Sequence, residues 1–110
     1  MFLARVTGHV VATQKDKTLG GQKLFVVEPL NVKYDEATKA PASLGNTGRA
    51  IVAVDAVGCG EGQLVLVVQG SSARMTEKTK NLPADAVVVG IVDSAVFAGK
   101  TFYDAGAAAK

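Results

Sequence analysis

The sequence predicts an all-β subunit, a small five-stranded barrel with one short helix between its fourth and fifth strands. Three observations carry this expectation. Short runs rich in β-branched residues are bounded by Gly or Pro, as strands are. The stretch with helix-start chemistry, Gly70-Ser71-Ser72, falls between the last two of those runs. Finally, 110 residues, 48% of them hydrophobic and 20% charged, leave room for one domain. Such a domain buries roughly 60–70% of the surface its unfolded chain exposes.

Residues 2–13 read as a strand on both sides of Gly8, with Leu3, Arg5 and Thr7 opposing Phe2, Ala4 and Val6, and the glycine marks a bulge or bend. A turn ending in Gly20-Gly21 leads to a second strand at 23–27, which stops at Glu28-Pro29 because proline removes a ladder donor. Residues 33–47 are mostly polar or small and read as an exposed loop. Residues 49–57 form the third strand, with Ala50, Val52, Val54 and Ala56 on one face, and residues 64–68 form the fourth. Ser71 or Ser72 would cap a short helix through 73–78, closed by Pro83. The fifth strand is 86–93, and 95–103 adds a short pairing around Gly99. The domain therefore spans 1–103, followed by a frayed alanine-rich tail at 104–110.

Five short strands and one small helix in this order suggest an OB-like barrel. Residues 64–68 and 87–92 are apolar at nearly every consecutive position, so both faces of these strands need cover. A barrel this small buries only its inside, and the second apolar face predicts contact with the helix or with another subunit.

Composition excludes several functions. Lys and Arg number 12 against 10 acidic residues, and a scattered net charge of +2 is no nucleic-acid footprint. One cysteine, Cys59, and one histidine, His9, supply neither a disulfide nor a metal-ligand set. No apolar run reaches the ~18 residues of a membrane span and the start lacks signal-peptide character, so a cytoplasmic protein without membrane contact is expected.

The run Gly58-Cys59-Gly60-Glu61-Gly62 lacks the G-x-G-x-x-G spacing of a dinucleotide site and precedes a strand, not a helix. Cys59 with His9 as base would need a third member that is not in evidence, and a free thiol more often behaves as a small hydrophobe. Gly70-Ser71-Ser72-Ala73-Arg74 fails the G-x-S-x-G pattern of a hydrolase. Asp55 and Asp93 end two strands, where turn chemistry is their ordinary role. No catalysis and no cofactor are expected. The alternative from another class is an OB-fold single-stranded nucleic-acid-binding protein, which would need basic residues interleaved with stacking aromatics. Phe2, Phe25 and Phe102-Tyr103 lie near strands but without such clusters.

Four blocks, M-F-L-A-R-V-T-G-H-V-V-A-T at 1–13, L-G-G-Q-K-L-F-V-V-E-P-L at 19–30, the stretch from A-V-D-A-V-G-C-G-E-G to G-S-S-A-R at 53–74, and P-A-D-A-V-V-V-G-I-V-D at 83–93, occur in this order and spacing. Together they closely resemble the pentameric vertex proteins of bacterial microcompartments, the family that includes the carboxysome and ethanolamine-utilisation vertex proteins. The resemblance implies an OB-like barrel, a homopentamer, and a place at the fivefold corners of a polyhedral shell beside hexagonal shell proteins. In such a ring the small residues Gly70, Ser71, Ser72 and Ala73, with Arg74 as a directional donor, are the subunit-interface candidates. Gly58, Cys59, Gly60, Glu61 and Gly62 are the candidates for a pore loop beside the fivefold axis, where crowding leaves little room for side chains.

Overall fold

The first strand, β1 (Phe2–Val10), pairs antiparallel with both β2 (Leu24–Tyr34) and β5 (Leu64–Gln69), and that double pairing closes the sheet into a ring. The structure is a computed structural model and describes residues 1–110 except 14, 16, 38, 40, 78, 81–83, 98, 109 and 110. Around the ring the order is β1, β5, β6 (Ala86–Ile91), β4 (Ile51–Asp55) and β2. The β4–β6 pair is parallel and the other four are antiparallel. Thus the all-β class and a closed small barrel are what the chain adopts.

Alternation along the strands fills the ring. Ala4, Val6, Phe25, Val27, Ala53, Val65, Val67, Ala86 and Val88 point inward and are buried together with Cys59. Three alanines among them suit an interior too narrow for large side chains at every position. Full burial of each valine stabilises the fold by about 1.5–3 kcal/mol. Val54 and Val87 point the other way, yet they are also buried, because Ala73 lies over them. The second apolar face expected of the fifth strand is thus covered in part within the subunit, by the segment that follows β5.

Several expectations need correction. The ring has the five strands expected, and the described residues hold three more outside it. The segment 33–47 is not simply an exposed loop: β3 (Pro41–Asn46) runs through it and pairs antiparallel with the far half of β2. β2 does not stop at Pro29. That residue faces Ala4, and its carbonyl accepts the Thr47 hydroxyl at 2.7 Å, so the strand passes through it to Tyr34. Between β5 and β6 there is no α-helix over 73–78 but a 3-10 turn, Gly70–Arg74, that begins three residues earlier. Its N-cap position is Gln69, with no side-chain cap, so neither serine caps it. Lys78 and Pro83 lie outside the described residues. β7 (Ser94–Phe97) and β8 (Lys100–Asp104) form a separate hairpin around Gly99, and the tail begins with one helical turn, α1 (Ala105–Ala108).

Candidate functional site

β4 ends in Asp55, whose buried carboxylate organises the loop from Val57 to Gly62. The backbone N–H groups of Val57 and Gly58 each donate to it at 3.0 Å, and that of Cys59 at 3.3 Å. Burial pushes the Asp55 carboxyl up, but these donors and the Cys59 thiol outweigh it and hold the carboxyl below its ordinary value of 3.8. A curl this tight needs positive φ, which Gly58 and Gly62 adopt at 80° and 87°. Asp55 thus has the turn role expected of it.

The far side of the loop is tied to β1. Gly62 N–H donates to the Val6 carbonyl at 2.7 Å, and Val6 N–H to the Gln63 carbonyl at 3.0 Å. Arg5 Nη1 donates to the Gly62 carbonyl at 3.0 Å, and His9 Nδ1 pairs with Glu61 Oε1 at 2.7 Å. These contacts straddle the bulge that separates Val6 from Gly8 in the β1–β2 register, the irregularity expected at that glycine. Gly58, Glu61 and Gly62 are exposed, Gly60 is half-buried and Cys59 is buried. The loop therefore presents backbone and one carboxylate to solvent while its cysteine anchors it in the core.

Cys59 is no nucleophile. Burial, followed by the charge of Asp55 and its hydrogen bond, pushes the thiol up to about 12. His9, the base that a dyad would need, is paired with Glu61 instead. Among the described residues no group of three or more His, Cys, Asp or Glu could hold a metal ion. Phe25 lies in the core, where it cannot stack on a base.

The second candidate region is the 3-10 turn after β5. Gly70 takes φ 68° and donates its N–H to the Asp85 carbonyl at 2.8 Å, which redirects the chain over the barrel. Ala73 is fully buried against Val54 and Val87, while Gly70, Ser71, Ser72 and Arg74 face solvent. Thr79, itself fully buried, donates its hydroxyl to the Ala73 carbonyl at 2.6 Å and fixes the turn from behind. Arg74 has no hydrogen bond or ion pair among the described residues. Of the five residues assigned to this region, the fold thus offers four for outside contact and uses Ala73 itself. Sequence reasoning missed Thr79, Arg5 and the His9–Glu61 pair, because each depends on which strand lies beside which.

In this closed barrel the buried carboxylate and thiol serve to hold a loop. Residues 1–93 match the family described as ethanolamine utilisation protein EutN/carboxysome. The chain is 48% identical over 94 residues to the bacterial microcompartment shell vertex protein PduN of Salmonella typhimurium, covering 86% of this chain and 97% of PduN. It is 38% identical over 104 residues to the shell vertex protein EutN of the same organism, covering 94% of each. Among solved structures, the GrpN pentameric microcompartment shell protein from Rhodospirillum rubrum superposes with a TM-score of 0.66 at 40% identity, covering 88% of this chain and 98% of GrpN. The chain belongs to the EutN/CcmL family of microcompartment and carboxysome shell vertex proteins, which are structural proteins and not enzymes.

Proposed function

We propose that five copies of this chain close into a ring that caps the vertices of a bacterial microcompartment shell. The observation that supports this most directly is the family match over residues 1–93, which includes every strand of the closed ring. The function follows from geometry. Flat sheets of hexagonal tiles cannot enclose a volume, and fivefold units supply the missing curvature. A head-to-tail contact closes at five only if the rotation between subunits fits.

Gly70, Ser71, Ser72 and Arg74 are the proposed contact residues, with Ala73 setting their height over the barrel. The small side chains allow close approach, and the Arg74 guanidinium, unpaired among the described residues, can take a neighbour's carboxylate or carbonyl. The loop from Gly58 to Gly62 is proposed to line the fivefold axis, where its glycines relieve crowding and Glu61 is held by His9. The outer flanks of the ring would meet hexagonal shell proteins, and neither cofactor nor nucleic acid takes part.

Native mass spectrometry tests the assignment. A dominant species at five times the 11.3 kDa subunit mass is expected. A monomer or dimer that persists across concentration and salt would overturn it.

A further inference from the structure

A ring with head-to-tail contacts uses two different patches on each subunit. The 3-10 turn Gly70–Arg74 supplies one, and its position identifies the other. Ala73 seats that turn on Val54 of β4 and Val87 of β6. In the ring order β1, β5, β6, β4, β2, the strand opposite the β4–β6 seam is β1. The outer face of β1 is therefore the flank turned away from Arg74.

Alternation along the strands gives the residues of that flank. Ala4 and Val6 of β1 point into the barrel, and so does Val27 of β2. Arg5 and its cross-strand partner Glu28 thus point outward. Glu28 is the one acidic residue in β1, β5 and residues 24–29 of β2, the part paired with β1. Its carboxylate is half-buried, and Oε2 accepts the Gly48 N–H at 2.9 Å. That bond holds the carboxylate in place without neutralising it. Among the described residues Glu28 makes no ion pair and Oε1 has no partner. Neighbouring Arg5 directs Nη1 to the Gly62 carbonyl instead, and Glu61, in the loop beside β1, is taken by His9.

We propose that Arg74 of one copy donates to the Glu28 carboxylate of the next copy, an ion pair repeated at every joint of the ring. Position selects the partner, not net charge: Arg5 and Glu28 leave the flank neutral as a whole, but a fixed carboxylate with one oxygen unused is what a guanidinium fork fits. A rotation about the axis preserves distance from it, so a joint needs two patches equally far out. Both patches meet that condition against the loop proposed for the axis. Val54, under Ala73, adjoins Asp55, which holds the start of the loop at Gly58. Arg5, across from Glu28, holds the end of the loop at Gly62. The pair would fix the rotation between subunits, the quantity that decides closure at five. The inference rests on the pentamer reading and names the acceptor that it leaves open.

A charge swap in the full chain tests it. Arg74→Glu alone and Glu28→Lys alone should each raise the concentration for half-dissociation of the pentamer about tenfold, and the two together should restore most of it. Glu28→Lys also removes the acceptor of the Gly48 N–H, so Glu28→Gln, which keeps an oxygen there, serves as the second variant. It should weaken the pentamer while leaving the denaturant midpoint of the dissociated subunit unchanged. In a Cys59→Ala background, Arg74→Cys combined with Glu28→Cys and treated with a short bis-maleimide should give a denaturing-gel ladder that ends at the pentamer, and each single-cysteine variant should give none. Wild-type pentamers with neither rescue by the swap nor a cross-link would overturn the pair and leave the vertex assignment standing. A monomeric wild-type chain would overturn both. An Arg74→Glu chain that forms pentamers as readily as wild type but no longer enters shells would assign Arg74 to a hexagonal shell protein and overturn the pair.

Discussion

Both carboxylate oxygens of Asp55 accept the backbone N–H of Gly58, each at 3.0 Å. One buried negative charge therefore fixes the start of the loop proposed for the fivefold axis. The loop's shape depends on a residue that is itself buried.

Asp55→Ala is expected to lower the unfolding free energy by about 2–3 kcal/mol, since it strands several buried N–H donors, and Asp55→Asn by about half as much. The carboxyl is held below 3.8 in the folded state, so its contribution is full above that value and is lost as the pH falls through the lowered one. Urea titrations taken from about pH 6 downward through 3.8 should show stability falling more steeply in wild type than in Asp55→Asn.

Cys59 should resist alkylation in the folded protein. Its thiol is raised from 9.0 to about 12, so iodoacetamide at pH 8 is expected to modify the unfolded chain and leave the native one nearly untouched. The same shift gives stability that is full below 9.0 and is lost as the pH rises toward 12. Equal labelling rates in water and in denaturant would contradict the buried placement.

Three loop glycines should behave differently. Gly58→Ala and Gly62→Ala force an L-residue to positive φ, at a cost of about 1–2 kcal/mol each. At Gly60 no strain arises, because its φ is ordinary and an added Cβ would meet only Gln63 Oε1 at 4.0 Å. Gly60→Val should therefore leave subunit stability nearly unchanged in a denaturant titration. If that variant then fails to form pentamers, the hindrance comes from neighbouring copies; intact pentamers would place the loop away from the axis.

Thr79→Val should cost about 1–2 kcal/mol, because it leaves the Ala73 carbonyl without its buried donor. The 3-10 turn would loosen. Faster hydrogen exchange confined to residues near 70–79, with the β1–β5 ladder still protected, is the expected signature.

The sequence made the ring strands legible because each carries alternating or continuous β-branched residues, and residues 2–10, 51–55, 64–68 and 86–91 fall within the strands expected. It made β3 illegible. Pro41, Ser43, Gly45 and Asn46 have low intrinsic strand preference, and they pair only because β2 continues past Pro29 to meet them. Serine after glycine signals a cap, but Gly70 at φ 68° turns the chain so that both serines fall inside the 3-10 turn. The glycine loop was visible as a hinge, and Asp55 as a turn residue. Their attachment to β1 was not, since Arg5, Val6 and His9 lie more than fifty residues away in sequence.

The register that sets Phe2 opposite Val67 has a consequence for biosynthesis. β1 cannot be seated on both sides until β5 (Leu64–Gln69) has been made, and the parallel partner of β4 comes later still. Contacts this distant in sequence form slowly, and until then the nascent polypeptide carries an unzipped, sticky margin. Shell closure therefore draws on subunits whose barrel matures only after β6 has been made, which ties the supply of corners to synthesis of the whole ring instead of to its first folded segment.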